Sequence, residues 1–200
     1  MCSSDLGFVL DLLLYSAEAL GLVFGLVFGF WASGLSQTYG PMLAFPLIGL
    51  GLGTILKALV LFPDPSRAIP NTILDLMSDP YASPLRGIPA KLNGTVIGRG
   101  EAGYVFGSDL QFQDSSGLLF LRYVSRFGPI GQFLFGIKRV QSLIGSQASV
   151  DGWFRRGVAS HLDLLRFRGE AGTVVNSYPR FWTFLFGGGL ILLGAFLGSV

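Results

Sequence analysis

Two long segments without a charged residue restrict what this chain can fold into. They are residues 19–56 and residues 181–200. A bilayer core needs about 20 consecutive apolar residues per helix, so the first segment can cross twice if it is interrupted. The sequence SQTYGP at residues 36–41 supplies the interruption. We predict three transmembrane helices: two within residues 7–62, at 8–35 and 41–62, and a third within residues 180–200, at 181–200.

Glycines recur at four-residue spacing in all three predicted helices. In lipid, helices associate by packing, and small residues let their backbones approach closely. We therefore expect the glycine face of the first helix to pack against that of the second. These glycines are Gly21, Gly25 and Gly29 in the first helix, Gly49 and Gly53 in the second, and Gly194 and Gly198 in the third.

The charges are concentrated between the predicted helices. All 14 Lys and Arg residues lie between Lys57 and Arg180, together with 9 of the 12 acids, so this window has a net charge of 14 − 9 = +5. Such an excess is typical of the cytoplasmic side of a membrane, either as a positive-inside signal or through contact with anionic lipid. We predict an integral protein of a bacterial or archaeal inner membrane, with residues 36–39 outside and the central segment in the cytoplasm.

Two acids, Asp11 and Glu18, fall in the first turns of the first predicted helix. Ionisable residues inside a membrane often mark functional sites. Near a helix end, however, a carboxylate reaches the interface or a partner helix, and we favour this structural interpretation.

Residues 87–170 are the only long stretch with strand-like alternation. A DSSG sequence at residues 114–117 is typical of a hairpin turn, and Gly94 marks a position where a strand bends or bulges. Three strands, a helix and two more strands follow the order of the OB-fold. The predicted strands are 90–97, 110–113, 118–123, 146–154 and 161–167, and the helix is 130–144, ended by Gly145.

The predicted fold class is therefore a mixed membrane protein. It comprises a transmembrane helical hairpin, a five-stranded OB-like β-barrel domain and a C-terminal transmembrane helix. Residues 63–86 form a linker that contains three prolines at residues 62–70 and a short helix at residues 71–77. We interpret residues 1–6, which include the only cysteine, Cys2, as a sequencing-adapter artefact. We also expect the third helix, which ends without a polar flank, to be truncated.

Two sequence patterns resemble binding motifs, but we favour neither interpretation. Gly98, Gly100 and Gly103 match the spacing of a dinucleotide fingerprint, but that motif requires a helix after the glycines and the following residues are strand-like. A second set of side chains resembles the basic, aromatic groove of OB-folds that bind single strands. We favour core packing for Trp153, and we expect the arginines to be solvated or lipid-facing. Nucleic acid is therefore not an expected partner. This set is Arg122, Tyr123, Trp153, Arg155 and Arg156.

The chain also lacks the residues of common catalytic sites. His161 is the only histidine, so neither a His-Glu-x-x-His zinc site nor a two-histidine metal cluster can form; we expect His161 at an exposed end of the barrel. Four acids of the predicted barrel lie at turns or on alternating strand faces, where solvation or turn capping explains them. No two of them are marked as a general acid and a general base. We predict no catalytic, cofactor-binding or metal-binding residue. The four acids are Asp109, Asp114, Asp151 and Asp163.

Residues 51–184 resemble the C-terminal region of HtpX-like membrane zinc metalloproteases. The segments that carry the resemblance are LDL at 74–76, SPLRGIP at 83–89, VIGRG at 96–100, FQDSSG at 112–117, SRFGP at 125–129 and GWFRR at 152–156. The resemblance implies a membrane peptidase of protein quality control, with zinc bound by a His-Glu-x-x-His helix and a distant glutamate. No residue of that zinc site can be carried over to this sequence.

The resemblance therefore suggests a non-catalytic C-terminal fragment, inactive alone. Its partners would be the lipid bilayer, an upstream peptidase domain of the same protein, and membrane-protein substrates. Zinc is expected in the full-length protein and no cofactor in this chain. The alternative is a stand-alone membrane-anchored OB protein, similar to NfeD-type proteins, that serves interaction or assembly. Single-strand nucleic-acid binding is a weaker third hypothesis.

Overall fold

The computed structural model describes Val9 and residues 12–100, 109–157, 159–170 and 172–199. It divides into two compact units: residues 1–61 with 180–200, and residues 62–179. The sequence interpretations of Asp11, Gly103 and residues 1–6 fall outside the described residues. The same holds for the start of the first predicted helix at Phe8.

Among the described residues, three long helices belong to the first unit: α1 (Ala17–Ser36), α2 (Gly40–Leu61) and α6 (Pro179–Gly198). All three are long and apolar enough to cross a membrane. Between α1 and α2 the chain reverses at Gln37, which has a left-handed backbone (φ 57°, ψ 24°) and donates its N–H to the Ser33 carbonyl oxygen. The positions predicted for the three apolar helices are thus confirmed in outline.

The glycine face of α1 packs on α2, as predicted. A Cβ added at Gly21 would overlap the carbonyl oxygen of Gly49, and one added at Gly25 would overlap that of Phe45. On the other side of α2, Gly51 lies against the backbone of Gly187 in α6. Close backbone approach, made possible by glycine, therefore joins α2 to both other helices.

The second unit is built on five strands that close into a barrel: β2 (Ile88–Arg99), β3 (Leu110–Gln113), β4 (Leu118–Arg122), β5 (Gln147–Arg155) and β6 (His161–Gly169). The ring runs β2-β3-β4-β6-β5 and returns to β2. Only the β4–β6 pair is parallel among these five; the others are antiparallel. This arrangement confirms the predicted five-stranded barrel.

The long strand β2 closes the ring because it pairs on both sides. Residues 88–95 pair with β5, and residues 95–99 pair with β3. The pairing with β3 is shifted between Val96 and Gly98, so the irregularity predicted at Gly94 occurs a few residues later. Gly94 has a different role, because an added Cβ would overlap the Gln113 carbonyl oxygen of β3.

Several predicted boundaries were wrong. The helix predicted at residues 130–144 is two helices, α4 (Gly128–Lys138) and α5 (Val140–Leu143), separated at Arg139. The barrel sheet has two additional short strands. One is β1 (Ile69–Pro70), which pairs with β2, and the other is β7 (Val174–Asn176), which pairs with β6. The linker helix α3 (Ile73–Ser78) starts two residues after the predicted one and has a capping box formed by Thr72 and Asp75.

The barrel encloses an apolar core to which every barrel strand contributes. Val140 and Leu143 of α5 and Phe135 of α4 cover one end of this core, while Ile73 and Leu76 of α3 add to it from the linker. Its largest fully buried members are Phe112, Phe154 and Phe167. The linker is thus part of the packed structure.

Candidate functional site

A polar pocket on the barrel brings together charged side chains from distant parts of the chain. Its volume is about 290 Å³, near the lower end of the range for small-ligand sites. Parallel pairing of β4 with β6 forms its floor, because it places Phe120 beside His161 and Arg122 beside Asp163. Within the described part of the chain, its lining residues are Gly100, Asp109, Phe120, Arg122, Ala159 and His161.

Asp109 immediately precedes β3 and is the acidic group of the pocket. Burial raises the pKa of its carboxyl group, while the backbone N–H of Tyr123 and the positive charge of Arg122 act in the opposite direction. The raised pKa means that the carboxylate is imperfectly compensated by the protein. A partly buried acid beside an exposed arginine is suited to binding a ligand that carries both a hydrogen-bond donor and an anionic group.

His161 begins β6, and its two ring nitrogens have different surroundings. The Nδ1 atom lies 3.2 Å from the carbonyl oxygen of Ala159. Since a carbonyl only accepts, Nδ1 must donate. The Nε2 atom is buried, has no hydrogen-bond partner within the described part of the chain, and lies 3.9 Å from Asp163 Oδ1. The ring nitrogen of His161 that does not donate to Ala159 is thus buried and faces the Asp163 carboxylate.

Asp163 supports this edge of the pocket through a buried ion pair. Its Oδ2 atom is 2.6 Å from Nη2 of Arg155, and the side chains are 5% and 11% exposed, respectively. The predictions that Asp163 is explained by solvation or capping and that Arg155 is solvated or lipid-facing were wrong. Both lie on the outer side of the sheet, which the sequence pattern identifies as polar, but this part of that side is covered.

The covering group is Phe62, at the start of the linker. Its ring lies 5.1 Å from the ring of Trp153, and the Arg155 guanidinium lies 5.0 Å from the Phe62 ring. Trp153 is fully buried, and its indole N–H donates to the Pro63 carbonyl oxygen at 2.8 Å. Packing of Trp153 is thus confirmed, although it packs against the linker on the outside of the barrel.

The basic and aromatic residues that resemble a single-strand binding groove do not form a stacking platform. Tyr123 is buried and stacks on Phe135, with ring centroids 3.9 Å apart, and Trp153 is buried under Phe62. Neither ring is open to a base, and the structure brings only Arg122 of this set to the pocket. Arg156 is exposed and donates to the Asp79 carbonyl oxygen.

The other acids have structural roles. Asp114 caps the β3–β4 turn as predicted, accepting from the backbone N–H groups of Ser116 and Gly117. Asp151 forms an ion pair with Arg168 across β5 and β6. His161 lies at the end of the barrel, as predicted, and is half-buried.

The donor set does not suit a zinc ion. Among the described residues, no group of three His, Cys, Asp or Glu side chains is placed to hold a metal. His161 and Asp163 provide two potential ligands, whereas zinc sites use three or four protein ligands. The arrangement is suited instead to hydrogen bonding and charge pairing with a small polar or zwitterionic group. The absence of catalytic, cofactor-binding and metal-binding residues stays a prediction.

No sequence motif predicts this pocket. Asp109, Arg122 and His161 are separated by 13 and 39 positions, and no local motif joins them. The available signal was the OB-like order of elements, because such a fold places its third and fifth strands side by side and uses neighbouring loops for binding.

In comparisons with known proteins, the chain matches no protein-family model, and no curated protein matches it significantly in sequence.

Proposed function

We propose that the chain is the membrane anchor and cytoplasmic accessory domain of an HtpX-like membrane zinc metallopeptidase that acts in membrane-protein quality control. The observation that carries the proposal is a closed barrel in a chain with three membrane-spanning-length helices and a single histidine. This chain has the parts needed to hold a domain at a membrane. It lacks the residues for zinc-dependent peptide hydrolysis, which a further segment of the same protein would supply.

The segments that resemble the peptidase family have structural roles in the barrel unit, which supports this assignment. The 114–117 segment forms the β3–β4 turn, and Ser83 accepts backbone hydrogen bonds from Leu85 and Arg86 just before β2. The 152–156 segment contains the buried Trp153 and the Arg155 ion pair. Structural roles of this kind are what the proposal expects of an accessory domain.

We further propose that the barrel is an OB-fold and that its polar pocket is the contact point for substrate. The pocket lies between the third and fifth barrel strands and the loops beside them, where OB-folds bind ligands. Its opposite charges, Asp109 and Arg122, match the charged groups of a polypeptide. The domain would position a membrane-protein segment for cleavage elsewhere in the complex.

The test compares the chain alone with the chain joined to its upstream reading frame. Both are reconstituted into vesicles with zinc and a fluorescent membrane-protein substrate. We expect an upstream His-Glu-x-x-His sequence and cleavage only by the joined protein. An Arg122→Ala variant of the joined protein should raise KM with little change in kcat, whereas Arg166→Gln, an exposed charge on β6, should change neither. Cleavage by the chain alone would refute the proposal.

The stand-alone NfeD-like assembly module remains a second candidate because the barrel unit has its own complete core. On this hypothesis a ribosome-binding site directly precedes Met1, and the intact chain co-purifies with a separate membrane protease. Finding an uninterrupted upstream peptidase frame would exclude it.

A further inference from the structure

The amphipathic helix α4 exposes a second apolar face, opposite the one that it packs on the barrel. Gly131, Phe135 and Gly136 form the buried face. The exposed face includes the N-cap residue, Phe127. At 3.6 residues per turn, its members lie within about a third of the helix circumference. It consists of Phe127, Ile130, Phe133, Leu134 and Ile137, which are 77%, 74%, 46%, 47% and 43% exposed, respectively.

The charges around this face all have the same sign. Between Asp114 and Asp151 the sequence has four cations and no acid. Arg126 precedes the helix, Lys138 ends it and Arg139 follows it, and all three are exposed. A helix with one apolar face and cationic flanks is suited to the headgroup region of an anionic bilayer.

Hydrogen bonds hold the segment before this helix against the C-terminal end of the barrel unit. The backbone N–H of Tyr178 donates to the Val124 carbonyl oxygen at 2.8 Å, and the Val124 N–H donates to the Ser177 hydroxyl at 2.8 Å. Pro179, the next residue, begins α6. Phe127 follows Val124 by three residues, so their Cα atoms are at most about 11 Å apart. The exposed face therefore begins near the C-terminal end of the barrel unit.

We propose that this exposed face of α4 inserts into the surface of a bilayer that contains anionic lipid. The five apolar side chains enter the upper acyl region, and Arg126, Lys138 and Arg139 contact lipid phosphates. A symmetric contact between two copies would bring like charges together, which is unfavourable. The inference rests on membrane insertion of the helices in the proposed function, and it is independent of any link to a peptidase.

The test measures the membrane depth of nitroxide labels on the full-length chain in a Cys2→Ser background. Labels are placed at Ile130, at Phe24 on the exposed side of α1, and at Ser115 in the β3–β4 turn. Collision rates with oxygen and with a water-soluble nickel chelate are compared in vesicles of phosphatidylcholine with and without phosphatidylglycerol. High oxygen and low nickel collision indicates lipid, whereas low rates for both indicate a protein contact.

In vesicles with phosphatidylglycerol, we expect lipid-like values at Ile130 and Phe24 and aqueous values at Ser115. The double substitution Lys138→Gln with Arg139→Gln should reduce the fraction of chains in which Ile130 contacts lipid by about tenfold. The matched pair Arg166→Gln with Arg168→Gln, which removes equal charge from β6, should not. If Phe24 gives lipid-like values while Ile130 gives aqueous values or protein-like burial, this inference is wrong but membrane insertion of the helices stands. Aqueous values at both Ile130 and Phe24 overturn membrane insertion as well.

Discussion

At the residue scale, Asp114 shows how one carboxylate joins two remote segments. One oxygen accepts from the amide and hydroxyl groups of Ser116, at 2.6 and 2.7 Å, and from the Gly117 amide at 2.8 Å. The other accepts from the Ile73 amide at 2.7 Å, at the start of α3. Burial raises the pKa of Asp114, but these donors outweigh it and lower the pKa overall.

Replacing Asp114 with Ala should destabilise the barrel unit by about 2–3 kcal/mol, because the donors lose a charged acceptor. Since the folded-state pKa of Asp114 is lowered, the stabilisation that this carboxylate provides is fully present above the unfolded pKa of about 3.9. It is lost as the pH falls through the folded-state value. Urea unfolding of the two chains at pH 7 and at acidic pH checks this. Ser115→Ala, in the same turn, is the control and should leave stability unchanged.

Asp109 should behave in the opposite way. Its pKa is raised by burial, so the folded chain binds a proton more readily than the unfolded chain, and stability falls as the pH rises from about 3.9 through the raised value. Asp109→Asn should therefore be more stable than the natural chain at pH 7, with the difference shrinking at acidic pH. Thermal unfolding across this pH range measures the effect, and a less stable variant at pH 7 would contradict the assignment.

At the scale of the helices, glycine contacts dominate the packing of α1 on α2. Gly21 and Gly49 face each other so closely that a Cβ on either would overlap the other's carbonyl oxygen. Gly34 of α1, in contrast, has no atom within 4 Å of an added Cβ. The same helix thus supplies both a sensitive position and a matched control.

Gly21→Leu should therefore destabilise the helical unit by roughly 1–3 kcal/mol through overpacking, whereas Gly34→Leu should have little effect. Melting of each full-length variant in detergent, followed by loss of the folded peak in size-exclusion chromatography, provides the comparison. Equal melting of the two variants would show that the glycine contact does not hold the helices together.

An ion pair also joins these two helices. Nζ of Lys57 in α2 is 2.7 Å from Oε2 of Glu18 in α1, and it lies 4.4 Å from the centre of the Tyr15 ring. This contact agrees with the interpretation of Glu18 as a partner-helix contact. A double-mutant cycle with Glu18→Gln and Lys57→Met should give a coupling energy of about 1 kcal/mol, measured by melting in detergent. A coupling near zero would mean that the pair adds nothing to helix association.

The barrel order was predictable because strand alternation, the DSSG turn and the helical period of residues 130–144 are local signals. β1 and β7 were missed because strands of two and three residues are too short to show a period. The burial of Asp163 depends on Phe62, about 100 positions earlier in the chain, which no local pattern reveals. The pocket likewise depends on the pairing of β4 with β6.

At the scale of the whole molecule, the barrel unit is tied to both segments that connect it to the apolar helices. Trp153 binds the Pro63 carbonyl, two residues after α2, and Val124 binds Tyr178, one residue before α6. Both connections are short and held by buried or backbone groups. Both connecting segments are thus held by hydrogen bonds within the barrel unit itself.

The prediction that the barrel lies in the cytoplasm rests on the distribution of cations, since loops rich in Lys and Arg stay in the cytoplasm. All 14 cations lie between Lys57 and Arg180, and the turn at residues 36–39 has none. In a Cys2→Ser background, Thr38→Cys should react with a membrane-impermeant maleimide on intact bacterial cells, because Thr38 is exposed. Ser115→Cys, exposed in the β3–β4 turn, should react only after the membrane is permeabilised. The reverse pattern would place the barrel outside and remove the cytoplasmic accessory role, while leaving the fold unchanged.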